Sequence, residues 1–266
     1  MSRRSLLLTA QLIAGWPVFW WYGQRLASST DELYGLLALI TVVIFLLKNK
    51  EQKEQPRFPL LLPTLITCIY ALSYAFFPPL LRAVVAFTAI GSLLSAYYLA
   101  TPLHLATMGL LLLSLPLIPS LQFYLGYPLR LLVALVSAPL IQMTGFMVAA
   151  EGSCLNWSGQ LIWIDAPCSG IRMLWTGCYL TFTLCCFYEL TAKHTCWAVG
   201  LSLLAILVGN ILRAVALFYV EIGMMRFPDW MHEGVGVVVF FGTAIMIFLI
   251  VQFLGRRIEC EPKLSS

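Results

Sequence analysis

Three residues in the second half of the chain stand where a polar or reactive side chain is costly, and each has chemistry to offer. Cys168 follows Asp165-Ala166-Pro167 and opens a long apolar run, with Arg172 four residues on. Proline suits the start of a helix and not its interior, so the spacing predicts Cys168 in the first turn of a helix with Arg172 on the same face. Unsatisfied N–H groups, the positive end of the helix dipole and a nearby cation all lower a thiol pKa. The resulting thiolate attacks a carbonyl at neutral pH. Ser169 and Gly170 leave room for a peptide to approach. The competing reading is a buried structural cysteine.

Arg213 lies in Val208-Gly209-Asn210-Ile211-Leu212-Arg213-Ala214-Val215, deep in an apolar run. A mid-span arginine costs at least ~2.5 kcal/mol on insertion scales and marks a functional site by default. Counted back from Glu221, it lies about 12 Å below the end of the run at ~1.5 Å per residue. Asn210 is on the same face and can orient it. A fixed cation with several N–H donors can hold a developing oxyanion. The alternative is a snorkelling or pairing arginine that neutralises Glu221 or Glu189. His232, in Pro228-Asp229-Trp230-Met231-His232-Glu233-Gly234-Val235-Gly236, opens the last apolar run. A solvated imidazole there suits a general base for a thiol and an acid for a leaving amine. Its alternative is an interfacial histidine without a task. Gly234 and Gly236 permit close helix packing.

The elements that position these residues are membrane helices. Hydrophobic residues make up 61% of the 266, charged residues only 11%, and the mean hydropathy is +0.89. Soluble domains carry about 25% charged residues, so a soluble globule is excluded. A backbone in lipid satisfies its own hydrogen bonds, so the spans are helical. The expected fold is an all-α polytopic bundle with spans near 5–22, 33–47, 59–77, 81–99, 103–120, 169–189, 196–221 and 232–254. It forms one integral-membrane domain: N-terminal spans over 1–127, an interfacial helix and hairpin over 128–167, catalytic spans over 168–254 and a tail over 255–266. The stretch 128–148, interrupted by Pro128, Arg130, Pro139, Gln142 and Gly145, is read as interfacial or re-entrant. A kinked full span there, with an earlier segment such as 81–99 not crossing, is the alternative. Ser158-Gly159 predicts the turn of a short outward hairpin.

Arg3 and Arg4, the basic loop with Lys48, Lys50, Lys53 and Arg57, then Lys193, and finally Arg256, Arg257 and Lys263 place both termini in the cytoplasm. Cys168 and the 222–232 loop then face outward. The net charge of +4 is spread over loops and gives no reason to expect nucleic acid. Three histidines without a His/carboxylate helical pair argue against a metal, and no cofactor is expected. The eight cysteines include no C-x-x-C. Cys154 and Cys168, both on the outward side, nevertheless leave a thiol oxidoreductase open. A transporter or flippase with Arg213 as an anion site is a further alternative.

Cys-Ser-Gly-x-Arg at 168–172, Asn-x-x-Arg at 210–213 and His232 at the head of the last span resemble the exosortase/archaeosortase family. These are integral-membrane cysteine transpeptidases. The resemblance covers roughly 126–254, with the motifs in the family's order, and includes the Glu151-Gly152 turn; the first hundred residues match only as generic apolar spans. It implies that Cys168 is the nucleophile, Arg213 the oxyanion-stabilising cation and His232 the acid/base, in the bacterial form, since archaeal relatives carry an arginine at the last position. It also implies substrates exported across a prokaryotic inner membrane. Their C-terminal tail holds a short motif such as Pro-Glu-Pro, a hydrophobic helix and a basic cluster. Cleavage falls near the motif, and transfer to an unknown acceptor follows. The motif's carboxylate needs an outward cation, for which Arg82, Arg130 and Arg172 are the candidates.

Overall fold

The computed structural model describes residues 3–28, 34–48, 60–99, 101–164, 169–222 and 231–260. Within them the chain forms helices α1 (Arg3–Ala14), α2 (Trp16–Ser28), α3 (Tyr34–Lys48), α4 (Leu61–Phe76), α5 (Pro79–Leu94), α6 (Leu105–Leu113) and α7 (Ile118–Gln142). Strands β1 (Val148–Glu151), β2 (Cys154–Trp157) and β3 (Gln160–Trp163) follow, then α8 (Ile171–Phe187), α9 (Ala192–Glu221) and α10 (Met231–Cys260). The segments Pro79–Leu99, Ile118–Gln142, Ala192–Glu221 and Glu233–Arg256 are long and apolar enough to cross a membrane. Tyr34–Lys48, Leu61–Ser73 and Ile171–Phe187 are apolar but shorter. A mostly helical membrane protein is therefore what the sequence folds into.

The chain divides into two compact units, Met1–Leu117 with Cys185–Thr195, and Ile118–Leu184 with Cys196–Ser266. In the first, the expected opening span is broken at Gly15 into α1 and α2. Gly91 of α5 sits so close to α6 that a Cβ would meet Met108 and Leu111 at 2.6 and 2.9 Å. The Tyr22 hydroxyl donates to the Ser114 carbonyl at 2.9 Å.

The expectation of one continuous span over 103–120 is corrected. Helix α6 ends at Leu113, and a new helix starts at Ile118. Pro116 lacks an N–H and disfavours helix in the residue before it, whereas Pro119 fits the first turn of α7. The expected separate element at 128–148 is corrected with it. Helix α7 runs unbroken through Pro128 and Pro139 and stops at Gln142.

The second unit carries every candidate residue except Arg82. Its sheet is an antiparallel meander in the order β1-β2-β3, one strand more than the hairpin expected. The anticipated turn at Ser158-Gly159 is present, with φ of 52° and 85°, as a two-residue hairpin connection favours. Val148, Leu155 and Ile164 bury one face of the sheet in a core with Val133, Ala134, Ala138 and Ile141 of α7 and Ile211, Ala214 and Phe218 of α9. Rings of Phe146, Trp157, Phe218 and Tyr219 close the end of that core edge-to-face.

Candidate active site

Helices α8, α9 and α10 meet along a seam of small residues. A Cβ on Gly177 of α8 would lie 2.4 Å from Cδ1 of Ile206 and 3.4 Å from Cδ1 of Ile247. One on Gly209 of α9 would lie 2.3 Å from the Thr243 hydroxyl and 2.7 Å from Cε of Met173. Lipid is as apolar as leucine, so helices in a membrane associate by close van der Waals packing, and small residues permit it. The pairings 209 with 243 and 213 with 236 run α10 antiparallel to α9, and 170 with 210 and 177 with 206 do the same for α8. The N-terminal ends of α8 and α10 therefore lie at one end of the bundle, beside the C-terminal third of α9.

Cys168 lies outside the described residues. Ser169, the next residue, is 1% exposed. Its hydroxyl donates to Oε1 of Gln122 in α7 at 3.2 Å and accepts the Ile171 N–H at 3.5 Å. Gly170 follows with φ of +80°, and its carbonyl accepts the Leu174 N–H at 2.7 Å. Gly170 is thus the N-cap of α8, and Cys168 precedes that cap by two residues.

The expected first-turn placement of Cys168 falls outside the described residues. The α-helix begins at Ile171, after Gly170 at φ +80°. Arg172 is an exposed residue of the first turn of α8.

Gly170 is constrained by space as well as conformation. A Cβ there would sit 2.7 Å from Cγ and Nδ2 and 3.0 Å from Oδ1 of Asn210, itself only 4% exposed. Three residues further along α9, the half-buried Arg213 lays its guanidinium against α10. Its Nε, Nη2 and Cζ lie 3.3, 3.5 and 3.6 Å from where a Gly236 Cβ would stand. His232 is the second residue of α10 and precedes Gly236 by one helical turn; its side chain lies outside the description.

Asn210 and Arg213 thus hold two different neighbours, the cap that follows Cys168 and the turn that follows His232. The positive ends of α8 and α10, together with Arg213, make this end of the bundle favourable for an anion.

Arg130 and Arg82 make local contacts. Nε of Arg130 donates to the Gly126 carbonyl at 3.3 Å, with the guanidinium 5.9 Å from the Tyr127 ring. Nε of Arg82 donates to the Phe77 carbonyl at 2.6 Å, and its guanidinium stacks 4.7 Å over Tyr74, in the first unit. Cys154 is a free thiol, 5% exposed.

Gln122 was not singled out by the sequence, where it is one polar residue among apolar ones at the start of a helix. The small side chain at Gly236 had suggested close packing but not that its partner is Arg213.

A family model described as transmembrane exosortase matches residues 20–249. The chain belongs to the transmembrane exosortase family. The match contains all three motifs and reaches back through the helices that had looked generic, so the resemblance is not confined to the second half. No curated protein and no solved structure matches the chain.

Proposed function

We propose that this exosortase-family protein is a membrane-embedded cysteine peptidase and transpeptidase, with its site at the extracytoplasmic end of α8, α9 and α10. The observation that carries the reading is the double engagement by α9. Asn210 packs on the cap two residues after Cys168, and Arg213 packs on α10 one turn after His232. These two contacts support a reading in which Cys168, Arg213 and His232 act together at this end of the bundle.

In the proposed reaction His232 takes the thiol proton, and the Cys168 sulfur attacks the carbonyl carbon of the sorting motif. Arg213 holds the tetrahedral oxyanion. The C–N bond breaks as His232 returns the proton to the leaving amine, which leaves a thioester. Water, or an acceptor amine or alcohol, attacks the thioester, gives its proton to His232 and releases the thiolate, which is reprotonated.

The substrates are exported proteins with a motif, an apolar helix and a basic cluster at the C-terminus. The protein sits in a prokaryotic inner membrane with both termini cytoplasmic. Of the three cations considered for the motif's carboxylate, Arg172 suits best. It is exposed and lies four residues from Cys168 in the sequence.

The test is processing of a tailed reporter in intact cells by Cys168→Ala, Arg213→Ala and His232→Ala, each with its membrane level measured. The thiol of Cys168 is also labelled by a membrane-impermeant maleimide. Uncut reporter is expected to accumulate with all three variants, and labelling is expected from outside. Normal processing by Cys168→Ala would falsify the reading, and flux of a solute through that variant would favour a transporter.

A further inference from the structure

The two edges of the meander differ. Trp157 and Gln160 flank the two-residue turn, so they form the hydrogen-bonded closing pair, and bonded and unbonded pairs then alternate along β2 and β3. Gln160 and Ile162 accordingly direct their backbone groups at β2. The Ile164 N–H continues the alternation by donating to the Ser153 carbonyl at 3.0 Å. Leu161 and Trp163 direct theirs outward, and among the described residues nothing bonds to them.

On the opposite edge the same alternation turns Val148 and Ala150 outward. There the Val148 carbonyl accepts Nε2 of Gln142 at 2.6 Å, and the Val148 N–H donates to the Phe146 carbonyl at 3.1 Å. Gln142 at the end of α7 and Phe146 just after it thus occupy the Val148 end of the β1 edge, whereas no such bond occupies β3. An open edge is a template for another strand, and proteins normally blunt it.

Here the open strand also carries Leu161 and Trp163 as exposed apolar side chains, 43% and 64% accessible. In the sequence Cys168 follows Trp163 by five residues.

We propose that the outer edge of β3 binds the substrate polypeptide as a fourth strand, so that an extended segment beside the scissile bond is held by main-chain hydrogen bonds. This rests on the peptidase reading and adds how that site takes its substrate. Five residues of chain reach at most about 18 Å, so a peptide paired with Leu161 and Trp163 has its scissile carbonyl within a few residues of the paired stretch. Main-chain pairing tolerates many sequences, and the exposed Leu161 and Trp163 side chains select apolar residues at alternate substrate positions.

Proline is accepted on an edge strand where its missing N–H faces outward. Leu161→Pro therefore deletes one donor to the substrate without disturbing the pairing to β2, and Leu161→Ala is its side-chain control. Ala150→Pro makes the same change on the opposite edge. The full-length protein in lipid nanodiscs is assayed on a reporter fused to a Pro-Glu-Pro motif, an apolar helix and a basic cluster.

Leu161→Pro is expected to raise KM about tenfold over Leu161→Ala, with an unchanged unfolding midpoint, and Ala150→Pro to cleave as the parent does. A photo-crosslinking residue at Trp163 in a Cys168→Ala background should capture the reporter through residues flanking the motif, and one at Ala149 should not. If Leu161→Pro unfolds, the crosslink decides. Equal KM for the two Leu161 variants, or a Trp163 crosslink no stronger than that at Ala149, overturns the docking edge. Cleavage that persists in Cys168→Ala overturns the peptidase reading and leaves the crosslink result standing by itself.

Discussion

Gly170→Ala is the sharpest perturbation of the site that leaves all proposed chemical groups in place. Two costs are separable. An L-residue held at φ +80° costs roughly 1–2 kcal/mol. The new Cβ also falls 2.7 Å from Cγ and Nδ2 of Asn210, well inside contact distance. Asn210 is 4% exposed, so its short side chain has little room to swing away, and overpacking of this kind costs about 1–3 kcal/mol. The single substitution should therefore destabilise by about 2–5 kcal/mol. In an Asn210→Ala background only the conformational part remains, about 1–2 kcal/mol, which gives a coupling of about 1–3 kcal/mol in a double-mutant cycle. The measurement is denaturant unfolding of the four proteins in detergent micelles, alongside cleavage of a tailed reporter. Because Asn210 lies one turn from Arg213, the single variant should also lose about a hundredfold in kcat, the usual consequence of ~1 Å misplacement. An equal penalty for Gly170→Ala in both backgrounds would refute the contact, and full activity would refute its role in positioning.

Gly236→Ala asks the opposite question, because its Cβ meets only the flexible end of Arg213 at 3.3 Å. Unfolding should change by less than about 0.5 kcal/mol while kcat falls about tenfold at constant KM; parent-like kcat would mean that the guanidinium is not held for catalysis. Gln122→Ala removes the acceptor of the buried Ser169 hydroxyl and should cost about 1–3 kcal/mol in thermal or denaturant unfolding, and an unchanged midpoint would refute that bond's importance. Arg172→Glu should abolish cleavage of a reporter with an acidic motif and regain part of it when the motif's Glu is replaced by Lys. The absence of any rescue would move the carboxylate site away from Arg172.

Helix class, the strand turn at Ser158-Gly159 and the run of three consecutive apolar helices after the sheet were legible from period, turn chemistry and composition. The exact start of α8 was not. Proline at 167 argued for a helix start there, yet Ser169-Gly170 is itself a cap signal, and Gly170 enforces a left-handed turn that delays α8 to Ile171. The boundary between α6 and α7 was written in Pro116 and Pro119 but masked by uninterrupted apolarity on both sides. Strand β1 escaped because Val148-Ala149-Ala150 is too short for an alternation to register. Gln122 carried no periodic signal, since its value comes only from what the chain brings to it 47 residues later.

The glycines that hold the bundle together are the same residues that set the site, and this follows from the solvent. In water a helix bundle gains most of its stability from apolar area, and its interhelical distances tolerate larger side chains. In lipid that driving force is missing, so α8, α9 and α10 depend on close approach at Gly177 and Gly209. Gly209 adjoins Asn210 and stands 2.3 Å, by its missing Cβ, from the hydroxyl of Thr243. A side chain there must turn Thr243 aside or move α10 away from α9. The same movement would lift Gly236 from the Arg213 guanidinium, one turn further along. The distance across which Arg213 reaches the last helix is thus fixed by a residue with no chemistry of its own, which is why stability and catalysis cannot be tuned independently along this face of α9.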